Sequence, residues 1–131
     1  MGMAKYLIDT TLLVDHLRGD LRSYSFLKQN RPAISHVTVA ELVQGTSSKV
    51  SLKFVDQAIK DLETIPISES ISSQALKFQK NFFHSHNLQL LDALIAATAI
   101  ENKLTLVTAN TKHFSFIKRL KLLDWKKLRK S

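Results

Sequence analysis

YLIDTTLLVD, residues 6–15, decides how the chain is read. Tyr6, Leu7 and Ile8 are strand formers in a row too short to be a helix. The run stops on a carboxylate at Asp9, and an apolar stretch resumes after Thr10 and Thr11. A helix from about Thr11 to Leu17 fits that stretch, with Gly19 placed to end it. A buried strand that hands over to a helix at an acid is the first unit of a βα repeat.

Working outward, the same alternation recurs. Ser23 to Lys28 reads as a further turn or two of helix, and Pro32 marks a turn before a strand at Ala33–Ser35. HVTVAELVQG, residues 36–45, reads as a helix ending near Gly45. Residues 50–63 place Phe54, Val55, Ala58, Ile59 and Leu62 at helical spacing. Ile65-Pro66-Ile67 reads as a short strand whose proline demands a sheet edge. Ser68 or Ser70 caps a long helix to about His86, with Ala75, Leu76, Phe78, Phe82 and Phe83 on one broad face. LQLLDALIAATAIEN, residues 88–102, is a small-residue helix. Leu104 to Val107 is another strand, followed by a short helix around Phe114 to Arg119 and a last apolar piece, LKLLDW. Strands alternating with helices imply an α/β fold, a parallel sheet covered on both faces. In such sheets ligands bind beyond the carboxyl ends of the strands, where Asp9 lies.

The 131 residues suit one domain over 1–131, and the 44% hydrophobic content, with only 3 Gly and 2 Pro, excludes a disordered chain. With no cysteine, disulfides and thiolate zinc sites are excluded. No apolar run approaches the roughly 20 residues a membrane helix needs, and Asp9 interrupts any signal-peptide pattern. The reading is a cytoplasmic protein without membrane attachment. The net charge of +8 favours a polyanionic partner. Basic residues crowd the C-terminal end from about 118, a distribution that also suits a solvated tail.

Only 11 residues are acidic. Three of them, Asp9, Glu41 and Asp92, lie in apolar or small-residue surroundings. Each has a structural explanation: Asp9 as a helix cap, Thr38 with Glu41 as a capping box, Asp92 as a complement to a helix dipole. Together they all fall near helix starts on one side of a parallel sheet. Folding that gathers them creates a carboxylate cluster that needs a cation or a proton. Oxygen donors without cysteine favour Mg²⁺ or Mn²⁺, and the basic surroundings attract a phosphate chain. That combination is the signature of a metal-dependent phosphodiesterase.

YLIDTTLLVDHLRG, ISHVTVAELVQG, LQLLDALIAATAI and LTLVTANTKHF, in that order, resemble the segments of a PIN-domain nuclease. More narrowly, they resemble a VapC-type toxin of a type II toxin–antitoxin pair. The resemblance implies a three-layer α/β/α domain around a parallel sheet of four or five strands. It implies Mg²⁺- or Mn²⁺-dependent endoribonuclease activity, a cognate antitoxin, RNA as substrate and a homodimer. The family's acids fall on Asp9, Glu41 and Asp92. A further family position, often aspartate, falls on Asn110, which can bind a cation only through a neutral carbonyl or hold a metal-bound water. Thr10 and Thr108 could orient waters or a phosphate, or act as ordinary helix-cap and strand-end hydroxyls. Lys112, Lys118 and Arg119 are the candidate phosphate contacts, with a solvated face as the rival. Two other functions fit the same segments: a non-catalytic RNA-binding module, and a PIN nuclease of RNA maturation. The histidines His16, His36, His84, His86 and His113 show no ligand spacing; a structural role is assigned to His113 and a surface role to Asp15, paired with His16 or Arg18.

Overall fold

The computed structural model describes residues 4–130. Five parallel strands form one sheet in the order β3-β2-β1-β4-β5. In chain order these are β1 (Tyr6–Ile8), β2 (Ala33–Ser35), β3 (Glu63–Ile65), β4 (Thr105–Thr108) and β5 (Leu122–Asp124). The helices are α1 (Thr10–Leu17), α2 (Leu21–Asn30), α3 (His36–Gln44), α4 (Lys49–Ile59), α5 (Glu69–His86), α6 (Leu90–Glu101) and α7 (Trp125–Lys130). The expected α/β/α layering with a parallel sheet is present, and the sheet has five strands.

The strands alternate their side chains between two cores, as the period of two requires. Leu7, Ala33 and Leu106 face one core with Ile71, Ala75 and Phe78 of α5 and Ala93, Ala96 and Ala97 of α6. Ile8, Ile34 and Val107 face the other with Leu12, Leu13, Leu27, Val55 and Trp125. Because both faces are covered, the central strand β1 and the middle of β4 read as continuously apolar, whereas the edge strand β3 carries exposed Glu63 and Thr64. Helix α6 is buried from Ala93 to Ala99 apart from half-buried Leu94. Its alanines let the helix backbone approach sheet and α5 closely, and they leave no polar face to point the helix by its periodicity.

Several boundaries differ from the sequence reading. The strand expected at Ile65–Ile67 lies at Glu63–Ile65, with Pro66 just past its end, where a missing N–H costs no ladder bond. It is an edge strand, as expected, although Pro66 itself lies outside it. Helix α3 starts at His36 and is capped by Ser35, whose hydroxyl accepts from the Val37 N–H at 3.0 Å. The Thr38–Glu41 capping box is therefore not formed: Thr38 is inside the helix, wholly buried. The helix expected at Phe114–Arg119 is replaced by a 3₁₀ turn at Thr111–His113 and a run of turns that buries Phe114, Ile117 and Leu120. LKLLDW supplies the fifth strand and opens α7. On α5, Leu76 and Phe83 face solvent rather than core, as does Phe54 on α4. Asp20 caps α2, its carboxylate accepting from the Ser23 N–H and hydroxyl at 2.9 and 2.6 Å.

Candidate active site

The strand order runs outward in both directions from the β1–β4 pair. That pair is the topological switch point, where successive connections leave for opposite faces and open a crevice at the carboxyl edge. Asp9 follows β1 directly and Thr108 ends β4. In register, Ile8 lies opposite Val107, so Asp9 and Thr108 are brought abreast. The Thr108 hydroxyl donates to Asp9 Oδ2 at 2.5 Å. The other oxygen, Oδ1, accepts the Thr11 N–H at 3.0 Å and the Thr11 hydroxyl at 2.6 Å. Asp9 is thus the cap of α1 and the bridge across the switch point at once.

Two further bonds lock this arrangement. Thr11 Oγ1 accepts from the Ala109 N–H at 3.2 Å, and Thr108 Oγ1 accepts from the Asn110 N–H at 3.0 Å. Each threonine hydroxyl therefore donates to the acid and accepts from the backbone beyond β4. Asp9 is only 5% exposed. Burial pushes its carboxyl above the usual carboxylate range, against the downward pull of Thr108 and Thr11.

Glu41 projects from the second turn of α3, deeper in its helix than the sequence reading placed it. Asp92 is the third residue of α6, in the first turn, where the helix dipole favours an anion. Burial raises both carboxyls; Asp92 and Asp9 raise Glu41 further, and Asp9 raises Asp92. His113 Nδ1 lies 3.4 Å from Asp92 Oδ2 and opposes the shift. The three acids from distant parts of the chain therefore share one electrostatic neighbourhood, with His113 at its rim. All are hard oxygen donors, the set that suits Mg²⁺ or Mn²⁺. Among the described residues, no group of three or more His, Asp or Glu side chains is arranged to hold a metal ion.

Asn110 is exposed beyond β4 and makes no side-chain cap. Thr10 opens α1 and lines, with Glu41, Leu42 and Phe54, an apolar hollow of about 450 Å³. Thr108 is wholly buried, and its hydroxyl is engaged by Asp9 and the Asn110 N–H, an arrangement that positions Asp9. Lys112, Lys118 and Arg119 are all exposed on the segment after β4. The sequence reading passed over Thr11 and gave His113 a structural role. For Thr11 the signal was present: a hydroxyl two residues after a capping acid can reach back to it. For His113 nothing in the spacing pointed to Asp92. Asp15 pairs neither with His16 nor with Arg18; it accepts from Trp125 Nε1 at 2.9 Å and faces Arg129 at 3.7 Å.

Fold and site define an α/β/α domain with an acidic centre at the switch point of a parallel sheet. Residues 6–120 match the family model described as the PIN domain, and the chain belongs to the PIN-domain family. It is 34% identical over 120 residues to "Ribonuclease VapC10" of Mycobacterium tuberculosis, covering 88% of this chain and 90% of that one. Among solved structures it resembles a toxin–antitoxin complex from Klebsiella pneumoniae, with 28% identity, a TM-score of 0.75, and coverage of 90% of this chain and 95% of that one. VapBC2 from Rickettsia felis, bound to a DNA fragment from their promoter, aligns at 26% identity and a TM-score of 0.78 over 92% and 98%. The VapC-type resemblance read from the sequence is borne out by these relatives.

Proposed function

We propose that this chain is a VapC-type endoribonuclease, the toxin of a toxin–antitoxin pair, and that it hydrolyses RNA phosphodiester bonds with Mg²⁺ or Mn²⁺. The observation that carries the reading is the burial of Asp9 at the β1–β4 switch point, with Asp92 and Glu41 near enough to feel its charge: burial raises all three carboxyls, Asp9 raises Asp92, and both raise Glu41. Acids that are desolvated and near one another are ill at ease as bare anions, and a divalent cation resolves the conflict.

In this reading Asp9, Glu41 and Asp92 hold the ion, which when bound supplies a water of lowered pKa and neutralises charge developing on the phosphate. Thr108 and Thr11 fix the Asp9 carboxylate so that both oxygens keep one orientation. Their bonds also pull the Asp9 carboxyl down against its burial. Asn110 offers a neutral carbonyl at the open side of the crevice, suited to orienting a water rather than to holding a second ion. Thr10, Lys112, Lys118 and Arg119 serve as candidate substrate contacts. His113, 3.4 Å from Asp92 Oδ2, pulls the Asp92 carboxyl down against its burial.

Partners follow from the relatives, whose solved forms are described as toxin–antitoxin and VapBC complexes. A cognate antitoxin is proposed for this chain on that ground, and a homodimer on the family resemblance alone. A cytoplasmic location is proposed with them; among the described residues no helix is long and apolar enough to cross a membrane. One observation favours a second reading. Asn110 stands where the family often has an acid, which suits a non-catalytic RNA-binding module. The two are separated by incubating the purified chain with RNA and Mg²⁺. The nuclease reading expects cleavage that EDTA stops and that Asp92→Asn lacks. Binding without cleavage overturns it.

A further inference from the structure

Beside the acidic centre, on the α7 side, lies a hollow of about 430 Å³ lined by Thr11, Asp15, Ala109, Trp125, Lys126, Arg129 and Lys130. We propose that it holds the backbone phosphate of the RNA flanking the scissile bond, gripped by Lys126 and Lys130. The proposal rests on the nuclease reading and adds to it the path of the substrate.

The hollow shares two residues with the centre. Thr11 and Ala109 form its inner wall, and these two residues also form the hydrogen-bonded shell behind Asp9. A strand with one phosphate at the acids therefore has a neighbouring phosphate within reach of this wall. The charge balance comes next. The single carboxylate in the lining is Asp15, and it is occupied twice, by the Trp125 indole N–H and by Arg129. Arg129 is itself spent on Asp15 and Asp20. Lys126 and Lys130 have no carboxylate partner among the described residues, and both are exposed. The hollow thus presents two unspent ammonium groups over a neutralised floor.

The chemistry fits a phosphodiester rather than a base. Trp125 is 2% exposed and edge-on to Phe26 at 5.8 Å, so no aromatic face is free for stacking. Lysine is a mobile point charge that meets a phosphate without demanding a fixed geometry. Recognition here is sequence-independent, and it draws the polyanion toward a centre whose own acids repel it. Lys112, Lys118 and Arg119 lie on the segment between β4 and β5, outside the lining of this hollow.

The test is binding of a short fluorescein-labelled oligouridylate with phosphorothioate linkages to the full chain in Mg²⁺, followed by anisotropy across a salt series. Each single-strand phosphate contact contributes about 0.7 to the slope of log K against log salt, or about fourfold in affinity near 0.15 M. Lys126→Ala/Lys130→Ala is expected to bind about tenfold more weakly with a flatter slope. Lys77→Ala/Lys80→Ala, on exposed positions of α5, removes the same charge elsewhere and is expected to bind like the wild type. Wild-type affinity in the α7 pair, or an equal loss in the α5 pair, overturns the proposal. A wild type that binds this probe but never cuts ordinary RNA overturns the nuclease reading instead, and leaves the groove to be judged by the same affinities.

Discussion

Thr108→Val replaces the buried hydroxyl that joins β4 to Asp9 with a methyl of nearly the same shape. Two bonds disappear: the donation to Asp9 Oδ2 and the acceptance from the Asn110 N–H. A hydrogen bond to a charged group is worth about 1.5–3 kcal/mol and a neutral one about 0.5–1.5, so the fold should lose about 2–4 kcal/mol. An unfolding entropy of about 2.1 cal/mol/K per residue over 131 residues converts this to a fall in Tm of about 7–15 °C. Losing a partner that orients a metal-binding carboxylate should lower activity by about 10–100-fold. The pH dependence should move as well. The Thr108 hydroxyl holds the Asp9 carboxyl down against its burial; without it, Asp9 ionises at higher pH and the acid limb of cleavage shifts upward. Thr108→Ser keeps the hydroxyl and should restore both the limb and most of the activity. Differential scanning fluorimetry and cleavage rates across pH read these effects. Wild-type behaviour in the valine variant, or a serine variant as impaired as the valine one, refutes the reasoning.

Asp92→Asn should abolish cleavage yet raise Tm by a few degrees in EDTA, because it removes an anion that raises Glu41; a lower Tm contradicts the repulsion. Mg²⁺ at one hundred times its Kd should stabilise the wild type by about 2.7 kcal/mol, or about 10 °C by the same entropy, and should leave Asp9→Asn nearly unmoved in the same fluorimetric assay. In EDTA the pH dependence has a definite sign. Asp9, Glu41 and Asp92 ionise above their ordinary values in the fold, so protonation favours the folded state. Their contribution to stability should grow as pH falls through those raised values toward the unfolded range of about 4, and be lost as pH rises; urea titrations at several pH values, with Asp92→Asn as reference, measure it. Trp125→Phe keeps the packing on Phe26 but removes the indole N–H donated to Asp15, and should cost about 1–2 kcal/mol in chemical denaturation.

Much of this was legible in the sequence, for reasons that can be traced. The strand at Tyr6–Ile8 showed because three apolar β-formers end on an acid, and the handover to α1 at Asp9 is where the structure places it. The long α5 showed because Ser68 caps it and Asn87, in the left-handed region at φ 55°, ends it. The three acids were found by their apolar surroundings, since burial there is what raises them. Other features were hidden because they are tertiary. Ser35 could be a strand end or a cap, and packing of Val37 into the core decided it. The run from Phe114 to Leu120 has helical spacing but closes through turns that still bury its apolar members. His113 reaches Asp92, and Trp125 reaches Asp15, across separations that no local pattern encodes.

The account turns on whether Asp9, Glu41 and Asp92 act as one cation-binding centre. Calorimetric titration of Mn²⁺ into the full chain, with the phosphorothioate oligouridylate present, reads this directly. Saturable uptake by the wild type that vanishes in both Asp9→Asn and Asp92→Asn is the predicted result. No uptake by the wild type, or equal uptake by all three proteins, contradicts it.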